Sequence, residues 1–229
     1  MKKMACPVLI FGNSGTGKSS ALKNCAGNTD WNLIRVLNKP LPFKGKINGW
    51  ATDDYQQVMK CVFSAKAHNI VIDDAGYLIT NAFMKGHSST GSGNAQFQFY
   101  NTMADNFWNL IMFIQNRVPE DKIVYVMMHE IQNDFGAIKP KTIGKLLDEK
   151  VCVEGMFTIV LRSVKDSNGY GFMTQSEDMA VSKSPMGMFE SERIDNDLLL
   201  VEKAIRDFYE IPVTSDSDKT KEEQKNAKA

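Results

Sequence analysis

The sequence predicts an α/β fold: a mainly parallel sheet flanked by helices, with an antiparallel extension at one edge. Three observations carry this. Short apolar runs recur at 8–11, 32–37, 69–74, 122–129, 156–163 and 170–175, and stretches of helical length separate most of them. Buried strands alternating with helices call for a sheet covered on both faces, which is the parallel arrangement. The first run opens directly onto a glycine-rich segment, and the last two runs follow each other with no helix between them. The first feature fits a strand–loop–helix unit, the second an antiparallel pair.

The elements can be justified in order. VLIF (8–11) is a buried strand, and SALKNCAG after the glycines is compatible with a helix. NLIRVL (32–37) is the second strand. Residues 52–68 place Val58, Cys61, Val62 and Ala65 at helical spacing, and NIVIDD (69–74) is the third strand. A short helix follows, then the polar stretch KGHSSTGSGNAQ (85–96). From 97 to 116 a helical stripe runs through Met103, Phe107, Leu110, Ile111 and Ile114. KIVYVMMH (122–129) is the fourth strand, followed by a second polar stretch at 130–145. MFTIVLRS and YGFMTQ form the edge pair, and NDLLLVEKAIRDFYE (196–210) is a final amphipathic helix. Residues 1–213 thus make one core, and the polar tail 214–229 is expected to be disordered.

Composition narrows the function. Apolar residues are 43% and charged residues 24%, ordinary for a globular chain, while 27 basic residues balance 27 acidic ones. Global charge therefore gives no support to nucleic-acid binding, which would need a local patch. Cys6, Cys25, Cys61 and Cys152 are scattered without metal spacing and read as reduced core or near-core thiols. No run approaches the roughly 18–20 apolar residues of a membrane span. The opening MKKMACPVLIFG runs straight into the glycine segment, so it is not read as a signal peptide; a cytoplasmic protein is expected.

The glycine segment has a defined spacing: Gly12, four residues, then Gly17-Lys18-Ser19. This is the phosphate-loop pattern. Small residues let backbone N–H groups curl around phosphate, and the next helix offers its positive end. Gly12, Asn13, Ser14, Gly15, Thr16, Gly17, Lys18, Ser19 and Ser20 are the expected contacts of a nucleoside triphosphate. Lys18 reaches the terminal phosphates and Ser19 ligates Mg²⁺. The bland alternative is a glycine-rich turn that binds nothing.

The third strand ends in Asp73-Asp74. Asp73 is expected to hold Mg²⁺ and Asp74 to orient or activate the attacking water. The alternative for Asp74 is a helix N-cap. His129 closes the fourth strand and falls near the γ-phosphate if that strand neighbours the first. Otherwise it only satisfies local backbone. His68 and His87 are read as surface residues.

Taken together, GNSGTGKSS, IRVLNKPLPFKG, NIVIDDAGYLI, the MMHE strand end, KPKTIGKLLDEKVCVEGMFTIVLRS and SKSPMGMFE resemble a family of phage-encoded ATP-binding proteins. These are minimal RecA-like core ATPases grouped with phage single-strand-annealing recombination proteins. The resemblance spans about residues 7–210. It implies a RecA-like P-loop fold, Mg²⁺–ATP, and a role on single-stranded DNA in phage recombination or replication. It also implies ring or filament assembly, with Lys183 reaching a neighbouring subunit's ATP site. Pro185 stands where that motif has a second basic residue, and Asn38 where many relatives carry a catalytic glutamate. Hydrolysis is therefore expected to be slow. The DNA-contacting loops of such proteins correspond to the two polar stretches, with Lys85 in the first and Phe135, Lys139, Lys141 and Lys145 in the second. An aromatic among lysines suits base stacking with phosphate neutralisation; a solvated loop anchored by Phe135 is the alternative. Two other readings stay open. One is a nucleotide-switched accessory or loader protein that binds a protein partner. The other is a small-molecule kinase, although the five dispersed arginines form no lid.

Overall fold

The computed structural model of this chain describes residues 5–176 and 179–212. The tail predicted to be disordered lies outside the described residues. Strands β1 (Cys6–Gly12), β2 (Trp31–Arg35), β3 (Asn48–Ala51), β4 (Asn69–Asp73), β5 (Ile123–Gln132), β6 (Ile138–Pro140), β7 (Ile159–Asp166), β8 (Gly169–Met173) and β9 (Arg193–Asp195) alternate with helices. The helices are α1 (Tyr55–Ser64), α2 (Gly76–Gly86), α3 (Asn94–Arg117) and α4 (Leu198–Tyr209).

The sheet order is β3-β2-β4-β5-β1-β7-β8-β9, with β6 paired to β5. Pairs from β3 across to β7 are parallel, while β7–β8 and β8–β9 are antiparallel. The expected architecture is the observed one. Apolar residues of alternate parity face two cores. Leu9, Phe11, Ile70, Ile72, Val124 and Val126 pack with α1, α2 and α3. Val8, Ile10, Val71, Tyr125 and Met127 pack with α4 and the segment after β1. Strands buried on both faces explain the unbroken apolar runs in the sequence. Trp31 stacks on Tyr125 with ring centroids 5.4 Å apart in the second core.

The helix ends have local causes. Asp54 caps α1, accepting from the Gln57 N–H at 2.8 Å. Lys122 closes its other end by donating to Val62, Phe63 and Ala65 carbonyls at 3.3, 3.2 and 2.6 Å. Asp197 caps α4 through the Leu199 N–H at 2.9 Å, and Glu210 ends it in the left-handed region. Within α4, Arg206 is buried; its Nε donates to Glu202 Oε1 at 2.8 Å. Its other nitrogens reach the Asp121 carbonyl at 3.3 Å and Asn69 Oδ1 at 3.4 Å. This network ties α4 to the amino ends of β4 and β5.

Several expectations need correction. The segment after the glycines is helical as expected, as a seven-residue 3₁₀ helix, Ser19–Cys25; the following points differ. The first polar stretch is helical at both ends, because α2 continues to Gly86 and α3 begins at Asn94, leaving only residues 87–93 as a loop. Lys85 is therefore in the last turn of α2 rather than in a loop. His68 is not a surface residue: its side chain is 11% exposed and stands 2.5 Å from Asp30 Oδ1 and 3.5 Å from Asp121 Oδ2. Cys25 and Cys61 are buried as expected, but Cys152 is exposed. Burial pushes the Cys6 and Cys25 thiols up to about 12, so both are poor nucleophiles.

Candidate nucleotide site

Gly12 ends β1 at the centre of the sheet, level with His129 on β5. The condition for His129 to approach the loop is therefore met. Space sets the identity of Gly12: a Cβ there would lie 2.5 Å from the Ser163 carbonyl of β7. Gly15 and Gly17 carry φ values of 81° and 98°, which turn the loop through the region L side chains avoid. The loop is pinned from β7, where Ser163 Oγ donates to the Thr16 carbonyl at 2.7 Å. Asn13, Ser14 and Gly15 form an exposed tip, while Ser20 is half-buried in the 3₁₀ turn. Because that turn is short, attraction for an anion rests mainly on the loop amides and Lys18 rather than on a long helix dipole.

Lys18 is buried, and its Nζ donates to the Gly12 and Asn13 carbonyls, each at 2.7 Å. Burial pulls its pKa below the ordinary lysine value, opposed by the charges of Asp74, Asp73 and Glu130. Ser19 Oγ donates to the Asp73 carboxylate, 2.9 Å from Oδ2 and 3.1 Å from Oδ1. Burial, then the neighbouring Asp74 charge, raises the Asp73 carboxyl above its usual range. A half-buried hydroxyl against a buried carboxylate, with negative charge not fully compensated, suits a small hard cation such as Mg²⁺.

Asp74 is buried and adopts φ 57°, the left-handed region uncommon for a non-glycine residue. The N-cap alternative does not hold: α2 is entered through Ala75 with no side-chain cap, and the Ala75 N–H donates to the Met127 carbonyl at 2.7 Å. The Asp74 carboxylate instead faces Lys39 Nζ at 2.5 Å and His129 Nε2 at 3.4 Å. Burial works to raise its pKa, but hydrogen bonds from His129 and Lys39 and the Lys39 charge hold it below the usual carboxylate range. His129 meets the Tyr77 ring edge-on, centroids 5.9 Å apart. Beside it, Glu130 is held by Arg162, whose Nε and Nη2 donate at 2.9 and 3.3 Å.

Lys39 was not among the expected site residues. It follows Asn38, on the irregular segment leaving β2, and no periodicity marks it. The Val36 N–H donates to the Asp73 carbonyl at 3.3 Å, which carries this segment alongside the end of β4.

The remaining expected residues lie apart from this cluster. Lys183 exchanges backbone hydrogen bonds with Val160 at 2.8 and 2.9 Å, placing it beside the amino end of β7. Phe135 stands at the tip of the β5–β6 hairpin and is 86% exposed. Lys141 is exposed at the base of that hairpin, where its N–H donates to the His129 carbonyl at 2.7 Å, and Lys145 is exposed further along the chain. Lys139 is paired with Asp148 Oδ1 at 2.8 Å, and Lys85 with Asp53 Oδ2 at 2.5 Å.

A glycine loop of this kind, opening from a central strand of a parallel sheet onto a buried lysine, belongs to the P-loop nucleoside triphosphatases. The sequence matches the family described as ATPase family associated with various cellular activities (AAA) over residues 8–134, more than half of its length. The chain belongs to this family and is a P-loop ATPase. The match runs from β1 into the β5–β6 hairpin and so contains every residue of the cluster around Lys18 except Arg162 and Ser163. No protein of curated function matches the sequence. No helix among the described residues is long and apolar enough to cross a membrane.

Proposed function

We propose that this chain hydrolyses Mg²⁺–ATP at the Gly12–Ser20 loop. The reading is carried by one observation: the Ser19 hydroxyl reaches the Asp73 carboxylate at 2.9 Å across 54 positions of sequence, beside a buried Lys18. Lys18 binds the terminal phosphates, and Ser19 and Asp73 hold Mg²⁺, which supplies charge neutralisation on the phosphate oxygens when bound. Asp74 takes the proton of the attacking water, whose oxygen bonds to the γ-phosphorus. The bond from that phosphorus to the bridging oxygen breaks, and its electron pair leaves with ADP. His129 touches the γ-phosphate side and couples it to the β5–β6 hairpin.

In its finer form the proposal is an oligomeric ATPase acting on single-stranded DNA in phage recombination or replication, with Lys183 contributing to a neighbouring copy's site. The resemblance stated above supports it, as does the 86% exposure of Phe135 at the tip of the β5–β6 hairpin. The competing reading is a nucleotide-switched accessory or loader protein. It is supported by the acidic partners of Lys85 and Lys139 and by the zero net charge.

Phosphate release from ATP, with and without single-stranded DNA, separates these on wild type, Lys18→Ala and Asp74→Asn. Lys18→Ala is expected to lose nucleotide binding. Asp74→Asn is expected to keep Mg²⁺–ATP and to slow turnover by roughly 10²-fold or more. Stimulation by DNA that weakens with salt supports the DNA reading; turnover indifferent to DNA at low salt refutes it. Unchanged ATP affinity in Lys18→Ala refutes the site.

A further inference from the structure

Two exposed grooves lie on opposite faces of the sheet and are opposite in charge. The first runs between the last turns of α1 and α3. Met59, Phe63 and Phe113 line it; Phe63 is 55% exposed, with its ring centroid 6.4 Å from that of Phe113. Among the described residues that line it, Lys60 and Arg117 are the only charged ones, and both are exposed.

The second groove lies between α4 and β9. Leu200, Ala204 and Phe208 recur at every fourth position of α4 and form one wall, with Leu200 49% and Phe208 41% exposed. Ile194 and Phe189 stand opposite, and exposed Glu190, Asp195 and Asp207 border the groove. Of the two cations among its described lining, Arg193 is held by Asp166 at 3.2 Å, which leaves Lys203 against three carboxylates.

A single exposed apolar side chain is ordinary on a protein surface. These are grouped, and each group is bordered by charge of one sign. Repulsion opposes either groove pairing with its own kind, whereas a joint between the two covers both apolar walls and sets cations against carboxylates. Helices α1 and α3 pack on one core and α4 on the other, so the grooves of one chain cannot meet each other. The matching surface is on another copy.

We propose that the α4–β9 groove receives the α1–α3 groove of a second copy of this chain, with Phe63 as the anchor beside Leu200 and Phe208, and Lys60 and Arg117 facing Glu190, Asp195 and Asp207. The contact joins unlike surfaces, so it repeats head to tail and builds a ring or a filament rather than a closed pair. Helices α1 and α3 end just ahead of the amino ends of β4 and β5, whereas the phosphate loop opens from the carboxyl end of β1. The contact is thus separate from that of Lys183, and it rests on the oligomeric reading above for self-association alone.

The test is sedimentation of the full chain over a wide range of concentration, at low and high salt, with and without Mg²⁺–ATP. Wild type should associate, and less so as salt rises, because the border charges are exposed. Lys60→Glu/Arg117→Glu and Glu190→Lys/Asp207→Lys should each weaken association by roughly tenfold to a hundredfold, since like charges then face each other. All four positions are exposed, and thermal scans confirm that both variants fold. Mixed in equal amounts, the two variants should associate as wild type does, because each offers the other opposite charge at both grooves. Loss in only one variant, or in both without recovery on mixing, overturns the proposal. Association that neither reversal alters but Lys183→Ala abolishes overturns it too, and leaves the oligomeric reading standing. A chain that stays monomeric under every condition overturns both.

Discussion

Three glycines of the phosphate loop are glycine for three different reasons, and replacing each by alanine separates them. At Gly15 an added Cβ meets nothing within 4 Å, and only φ 81° opposes it. Left-handed strain of about 1–2 kcal/mol is partly offset by about 0.4–1 kcal/mol from a stiffer unfolded chain, leaving ~1 kcal/mol. Gly17 has the same backbone problem at φ 98°, and its Cβ would also lie 2.8 Å from Tyr170 Cδ1 and 3.0 Å from Asn196 Oδ1. Overpacking adds about 1–2 kcal/mol, at the low end of its usual range because Tyr170 is half exposed and can turn away. Gly12 has no backbone strain, but its Cβ would meet the Ser163 carbonyl at 2.5 Å. That atom belongs to β7, a strand paired on both sides, so the cost is about 2–3 kcal/mol. In a chain of this size these translate to Tm losses of roughly 2–4 °C for Gly15→Ala and 4–12 °C for the other two.

Urea titrations and thermal scans without nucleotide read these numbers directly. A second substitution, Tyr170→Ala, should recover about 1 kcal/mol of the Gly17→Ala loss and none of the Gly12→Ala loss. Equal costs at all three positions would refute the reasoning, since neither the backbone angle nor the atoms beside each Cβ would then decide the loss. So would failure of Tyr170→Ala to relieve Gly17→Ala.

Two further outcomes concern charge. The Asp73 carboxyl is raised by burial, so the stability it contributes is present below its unfolded value near pH 4 and lost as pH rises through its folded value. Asp73→Asn should therefore raise Tm at neutral pH, with the gain shrinking as the pH approaches 4, while Mg²⁺-dependent nucleotide binding falls; thermal scans across that range check it. Arg206→Met leaves Glu202 and Asn69 without their shared partner and should cost about 3–5 kcal/mol by urea unfolding, as breaking a buried pair does.

The strands that carry the site were legible because each is buried on both faces and reads as an unbroken apolar run. Asn69–Asp73 and the first six residues of β5, Ile123 to Met128, are of this kind. The short strands were not. Asn48–Ala51 reads NGWA and is stabilised by parallel pairing with β2 at the sheet edge, and Arg193–Asp195 is held only by β8. Nothing in their side chains announces them. The phosphate loop and Asp73 follow from spacing, since both lie at strand ends. Lys39 could not be found that way: its meeting with Asp74 depends on the course of an irregular segment, which periodicity does not describe. His68 was misjudged for a related reason, because Asp30 and Asp121, which enclose it, come from other parts of the chain.

The position of β1, hydrogen-bonded to β5 on one side and β7 on the other, has a thermodynamic consequence for the ligand. The loop backbone proposed to meet phosphate loses its freedom during folding, so little ordering entropy would be left to be charged against affinity. Lys39 is the opposite case, a side chain 57% exposed on an irregular segment whose ammonium is held at 2.5 Å by the buried Asp74. One half of the site is therefore set in advance and the other is adjustable. Affinity should therefore follow the integrity of the sheet.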